Sequence, residues 1–192
     1  MNIIYLLFLS LIRSALAAKV EDLSDRTPLD EYVNKVEKAY KWEKQETFHS
    51  PIFGSMIHVL NVTSLEWLDT TRAAGVNGAL WTHLVYVAVP RKLTYTNVSF
   101  AYITGGDNKK PNVVPGWTDQ DVLEVDQLAH YSESVVIAIL QIPNAPIVFP
   151  TDPEQKQRTE DAILAWAWKE FLDDPKHDPE WLARLPMVKA AF

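Results

Sequence analysis

The apolar and polar positions divide the first half of the chain into three strand-like runs. Residues 55–67 and 80–89 are rich in branched and aromatic residues, which favour strands. A polar, glycine-containing connection separates them, and this predicts an antiparallel pair. A third apolar run, residues 98–104, ends at Gly105-Gly106 and predicts a buried strand that enters a sharp turn.

The second half alternates helical and strand patterns. Residues 119–132 place apolar side chains three and four positions apart, on one face of a helix. Residues 135–140 are continuously apolar, which is typical of a strand buried on both faces of a parallel sheet. Together with the third run they predict a β-α-β unit. Asp152 as a cap and Pro153 as a first residue predict a further helix to about Leu172.

The chain before the first strand has two parts. Residues 3–12 are apolar and are followed by the small residues Ala15 and Ala17. This predicts a secretory signal over residues 1–17, because the run is too short to serve as a membrane anchor. Residues 18–50 form a polar N-terminal arm, in which Thr27 as a cap and Pro28 as a first helical residue predict one short helix. Residues 51–192 form the remaining, partial domain. We therefore expect an extracellular protein without a membrane anchor after cleavage.

Two glycosylation sequons agree with export, although such triplets also occur by chance. Asn97 is the better acceptor, because it opens a strand just after a turn. Asn61 falls within the first predicted strand. The sequence has no cysteine, which excludes disulfides, a thiol nucleophile and cysteine metal ligands.

Composition and motifs limit the possible chemistry. The net charge of −7 argues against nucleic acid and anionic membranes as partners. No glycine-rich phosphate motif and no Gly-x-Ser-x-Gly nucleophile elbow occurs, so we predict no cofactor and no catalytic residue within this chain. The histidines lack metal-ligand spacing, so we predict no metal site, and His83 is expected to be a hydrogen-bonded core residue.

Several motifs between Thr27 and the last residue resemble one known family. They are Thr27-Pro28-Leu29-Asp30-Glu31-Tyr32-Val33, Tyr40-Lys41-Trp42, Thr63-Ser64-Leu65-Glu66-Trp67, Trp81-Thr82-His83, Ile103-Thr104-Gly105-Gly106, Val135-Val136, Pro143-Asn144-Ala145-Pro146, Arg158-Thr159-Glu160-Asp161-Ala162 and Trp181-Leu182-Ala183-Arg184-Leu185-Pro186-Met187. Taken together, these motifs are similar to the N-terminal portion of the PhoPQ-activated pathogenicity-related family.

The resemblance implies a secreted protein with an α/β-hydrolase-like fold. Its antiparallel first strands would lead into a β-α-β unit with a parallel sheet, and the chain would be a truncated N-terminal half. The nucleophilic serine would follow Phe192, so the intact form would be a candidate serine hydrolase acting on a small-molecule or peptide substrate. Residues 98–104 would then form an open apolar edge that invites aggregation.

Only one site can be carried over from the resemblance. Gly105, Gly106 and Asp107 would form part of an oxyanion loop, whose backbone N–H groups stabilise developing negative charge. The simpler interpretation of the two glycines is a plain turn. The resemblance also permits a non-catalytic, secreted signalling or proliferation-regulating protein on the same fold, with a cell-surface receptor as its partner.

Overall fold

The computed structural model describes residues 26–109 and 114–192 as a mixed α/β arrangement around one open sheet. The predicted signal peptide lies outside the described residues. The elements are α1 (Pro28–Asn34), β1 (Lys41–His49), β2 (Met56–Glu66), β3 (Leu80–Val89), β4 (Tyr95–Ile103), α2 (Gln120–Ser132), β5 (Ser134–Ile139), α3 (Glu160–Asp173), a 3-10 turn (Pro179–Trp181) and α4 (Arg184–Ala191).

The sheet has five strands in the order β1-β2-β3-β5-β4. Strand β2 is antiparallel to both β1 and β3, and β3 is antiparallel to β5. Strands β4 and β5 are parallel, and α2 connects them. The predicted antiparallel pair and the predicted β-α-β unit are therefore both confirmed.

The N-terminal arm contains the predicted helix and also a strand that the pattern did not predict. Thr27 caps α1 in a capping box, in which the Asp30 carboxylate accepts a hydrogen bond from the Thr27 N–H at 2.9 Å. Strand β1 is largely exposed, and only Trp42 and Phe48 are half-buried. Its backbone pairing with β2 holds β1 in the sheet together with the packing of Trp42 and Phe48, and hydropathy does not detect such pairing.

Helix α3 begins at Glu160, so the prediction that Asp152 caps it was wrong. The Asp152 side chain is buried, and its carboxylate accepts hydrogen bonds from two backbone N–H groups of the following turn. Arg158 Nη2 also donates to it at 2.9 Å, and the guanidinium lies 4.2 Å from the centre of the Trp166 ring. An aspartate that organises a turn and one that caps a helix share the same local sequence pattern.

Two apolar clusters hold helices α2 and α3 against the sheet and the ends of its strands. Helix α2 packs Val122, Val125 and Ala129 on the face of the sheet that presents Tyr86 and Ala138. The second cluster joins the ends of β2 and β3 to α3 through aromatic side chains. Its centre contains Trp67, Trp81, Phe149, Ile163 and Ala167. The Trp67 ring meets the Trp81 and Phe149 rings edge-on, at centroid distances of 5.6 and 6.2 Å.

Strand β4 is exposed, which overturns the prediction of a buried strand. Within the described residues it pairs with β5 alone. Val98, Phe100 and Ile103 are 57%, 49% and 52% exposed. The strand is therefore the open apolar edge that the resemblance implied.

Removal of the Phe149 ring should be costly, because that side chain is fully buried between two tryptophans. We expect Phe149→Ala to lower the free energy of unfolding by about 3–5 kcal/mol, measured by chemical denaturation. Phe192→Ala is the control, since Phe192 is 75% exposed, and it should change little. Equal losses in the two variants would contradict the proposed packing of this cluster.

The β4 edge should drive self-association of the chain, because its backbone and apolar side chains are open to a second strand. We expect the double variant Val98→Lys/Ile103→Lys to be less associated in sedimentation velocity than the parent chain. Leu172→Lys changes an equally exposed apolar residue of α3 and should leave the association unchanged. A parent chain that is monomeric at all concentrations would contradict the prediction.

Candidate functional site

The loop after β4 is tied to the loop after β5. The Gly105 carbonyl accepts a hydrogen bond from the Gln141 N–H at 2.7 Å, and the Ala145 carbonyl accepts one from the Asn108 N–H at 2.8 Å. Gly106 has a φ of +103°, in the region that favours glycine, so this turn depends on the residue type. The result is a paired set of loops at the carboxyl ends of the two parallel strands, where open α/β sheets bind their ligands.

The predicted oxyanion residues present backbone donors at this edge. Within the described residues, the N–H groups of Gly105, Gly106 and Asp107 donate no hydrogen bond. Gly106 and Asp107 are exposed, and Gly105 is half-buried. Glu160 Oε1 would lie 3.5 Å from a Cβ on Gly105, so its negative charge opposes negative charge on the Gly105 side of the loop. The unpaired N–H groups are open to a carbonyl oxygen of a ligand.

A polar cleft of about 670 Å³ lies beside this loop, on the face of the sheet that carries α2. Gln141 joins the two: its Oε1 accepts a hydrogen bond from the Leu84 N–H at 2.8 Å, and its Nε2 donates to the Asp107 carbonyl at 3.4 Å. Asn108 Nδ2 donates to the Thr82 carbonyl at 2.9 Å. The cleft and the loop are therefore held by the same side chains.

His83 is a buried, fully hydrogen-bonded residue, as predicted. Its Nδ1 lies 3.0 Å from the Leu140 carbonyl, and its Nε2 lies 2.8 Å from Ser64 Oγ. Because a carbonyl can only accept, Nδ1 carries the hydrogen and Nε2 accepts from the Ser64 hydroxyl. Burial lowers the pKa of His83 to about 4, which leaves it a weak base. The Ser64–His83 contact therefore joins β2 to β3 through a buried hydrogen bond.

The two sequon asparagines lie in different surroundings. Asn97 is exposed on β4, in a stretch where the pairing shifts from Tyr95 opposite Ser134 to Ser99 opposite Val135. Asn61 is half-buried in β2 and lines the polar cleft. Glycosylation of either residue stays a prediction.

Sequence reasoning missed the cleft residues Gln141 and Asn108. Each of them has a local signal that could have been used. Asn108 lies two residues after Gly106, and Gln141 is the first polar side chain after the apolar run of β5. Neither signal shows that the two residues meet, because β4 and β5 must pair before their loops can touch.

Two structural features are absent from the described residues. Across residues 26–109 and 114–192, no helix is both long and apolar enough to cross a bilayer. In the same part of the chain, no three potential metal ligands among His, Asp and Glu side chains come together.

Fold and site together define an α/β protein with an open sheet and a candidate ligand site at the carboxyl ends of its parallel strands. The chain belongs to the PhoPQ-activated pathogenicity-related protein family, whose model matches residues 29–192. It is also 38% identical over 189 residues to autocrine proliferation repressor protein A of Dictyostelium discoideum. That match covers 98% of the chain but 34% of the relative, so the chain spans about a third of the relative's length. No solved structure matches the chain significantly.

Protonation of His83 should destabilise the fold in mild acid. Because burial lowers the pKa of His83 in the folded state from 6.5 to about 4, its contribution to stability is complete above about pH 6.5 and is lost as the pH falls towards 4. We expect the free energy of unfolding of the parent chain to fall by about 2–3 kcal/mol more than that of His83→Gln between pH 7.5 and 4.5.

Urea denaturation at several pH values measures this difference. His49→Gln is the control, because His49 is an exposed residue of β1. Its pH profile should follow that of the parent. Parallel profiles for the parent and His83→Gln would contradict a buried neutral imidazole.

Proposed function

We propose that this chain is the N-terminal portion of a secreted α/β-hydrolase-like protein whose intact form is a serine hydrolase. The observation that carries the proposal is the loop of Gly105, Gly106 and Asp107. Its backbone donors, which have no partner within residues 26–109 and 114–192, follow a parallel strand and precede the crossover to α2. In α/β-hydrolases, a loop at this place in the chain supplies one N–H group of the oxyanion hole.

The open edge beside this loop supports the proposal. Among the described elements, one edge of strand β4 is unpaired and its apolar side chains are exposed, which suits an inner strand better than an edge strand. A further strand that pairs with β4 would bring its carboxyl end next to Gly105 and Gly106. A nucleophile elbow at that end would place a serine within reach of the backbone donors. The relative's length, about three times that of this chain, leaves room for such a strand.

Secretion is part of the same proposal. An autocrine factor acts on the cells that release it, and the relative is named as an autocrine repressor. The apolar run over residues 3–12 and the small residues that follow it have the pattern of a cleaved leader. The substrate class that suits an exposed loop with backbone donors is a small molecule or peptide with a reactive carbonyl.

A second candidate is a secreted regulator of proliferation without catalytic activity, which acts through a cell-surface receptor. The relative's name favours this candidate, because that name describes growth control and no reaction. The family's fold can host either function, since function resides in sites rather than in folds.

Transcript sequencing past Phe192, followed by expression of the longest product, tests both candidates. We expect a frame that continues into a Gly-x-Ser-x-Gly-like elbow, and a product that a fluorophosphonate probe labels at the elbow serine. Gly106→Ala should slow labelling by about 10- to 100-fold, because its φ of +103° strains any other residue and displaces the loop.

Gly116→Ala is the matched control, because a Cβ at Gly116 would meet nothing within 4 Å. An intact product that no probe labels, but that slows proliferation of the cells secreting it, would reject the hydrolase and favour the regulator. A stop codon directly after Phe192 would exclude the serine mechanism.

A further inference from the structure

The polar cleft contains a sequon asparagine in an unusual place. Asn61 lies opposite Glu43 of β1 and Leu84 of β3, in the middle of paired backbone. Two residues further along β2, Thr63 lies opposite Thr82 on the same face of the sheet. The acceptor asparagine and the threonine of its own sequon therefore both line the cleft.

The lining of the cleft is neutral and rich in hydrogen-bonding groups. It includes the amides and hydroxyls of Asn61, Thr63, Asn77, Thr82, Asn108 and Gln141. Lys41 and Glu43, one of each sign, are exposed on β1 at its margin. A surface of this kind matches the hydroxyl and acetamido groups of a sugar, and it offers no net charge to an ion.

Several of these groups have no partner within the described part of the chain. The Thr63 side chain is 5% exposed, yet its hydroxyl makes no hydrogen bond, and neither does the Asn61 amide. Asn108 and Asn77 each use an Nδ2 donor on Thr82, at 2.9 and 2.7 Å, and their side-chain oxygens stay open. These groups face the open cleft with unused hydrogen-bonding capacity, which a polar occupant of the cleft would satisfy.

The volume and the attachment point suit a sugar that is covalently attached. The cleft measures about 670 Å³, within the usual range for ligand pockets of about 300–1,000 Å³. Asn61 is half-buried, so its amide reaches the cleft. Transfer to the nascent chain would form a bond between the Asn61 nitrogen and C1 of the sugar. It would displace the diphosphate of a lipid-linked donor and release one amide proton. The strand would then fold around the product.

We propose that Asn61 carries an N-linked glycan whose first N-acetylglucosamine occupies the polar cleft. This proposal rests on the secretion, but not on the hydrolase activity, proposed above. The glycan then acts as a structural part of the sheet face, hydrogen-bonded to the open groups of Thr63, Asn77 and Asn108. Asn97 provides the contrast, because it is exposed on the β4 edge and does not line the cleft.

The experiment compares the two sites in the full chain secreted from a eukaryotic cell line. One form uses its own first residues, and a second form has a host leader fused before Met1. If the first form stays inside the cells while the second is secreted, the proposed secretion is contradicted. The glycan is then examined on the second form. Mass spectrometry of glycopeptides measures the occupancy of Asn61, and Asn61→Gln identifies the corresponding species.

Peptide N-glycosidase uses water to release a glycan and converts the glycosylated Asn to Asp. The rate of this release measures how accessible each glycan is. We expect the glycan on Asn61 to be released at least about tenfold more slowly from the folded protein than from the denatured protein, because its release requires local opening. Release from any Asn97 glycan should be similar in the folded and denatured protein. Asn108→Ala should accelerate release at Asn61, whereas Asn34→Ala, on the exposed helix α1, should not.

Two results would overturn the proposal. One is secreted protein in which Asn61 is unmodified. The other is an Asn61 glycan that peptide N-glycosidase removes equally fast before and after denaturation. Either result leaves the hydrolase proposal intact, because that proposal depends on Gly105–Asp107 and on the chain beyond β4.

Discussion

Strand β5 lies between β3 and β4, and its pairing with both neighbours positions the loops of the candidate site. It is antiparallel to β3 and parallel to β4, so the sheet changes direction at this strand. Val136 and Ala138 are completely buried beneath α2, which fixes the strand in register. The loops that follow β4 and β5 must then leave the sheet at the same edge, where they exchange backbone hydrogen bonds.

Polar side chains also attach the loops that follow β4 and β5 to the backbone of the sheet. Gln141 binds the backbone of both β3 and the glycine loop, and His83 binds the Leu140 carbonyl. The Thr82 carbonyl accepts hydrogen bonds from Asn108 and Asn144 at 2.9 and 2.5 Å. Most of these groups are buried and neutral, so they order the loops without the cost of desolvating charge. The sheet therefore preorganises the loops of the candidate site.

The two edges of the sheet differ in a way that agrees with the proposed fold. Strand β1 carries alternating charges and exposes nearly all of its side chains, which discourages pairing with another chain. Strand β4 has apolar side chains and no charged residue between Tyr95 and Ile103. Strand β1 is thus protected against pairing with a further strand, whereas β4 is not. This difference supports the proposal that the sheet continues beyond β4.

The sequence by itself determined the elements whose signal is local. The apolar runs of β2, β3 and β5, the spaced apolar residues of α2 and the capping residues of α1 are each contained within one segment, so periodicity and cap chemistry predicted them. The absence of cysteine and of a nucleophile elbow is also a fact of the sequence. The motifs predicted the family, which the match over residues 29–192 confirms.

Only the tertiary structure decided the features that join distant segments. The bond of His83 to Leu140 spans 57 positions of the chain, and β1 is a strand because β2 lies beside it. The exposure of β4, the role of Asp152 in a turn and the position of Asn61 in a cleft likewise depend on neighbours that no local pattern encodes. Hydropathy reports how apolar a segment is, whereas burial and pairing depend on which other segment covers it.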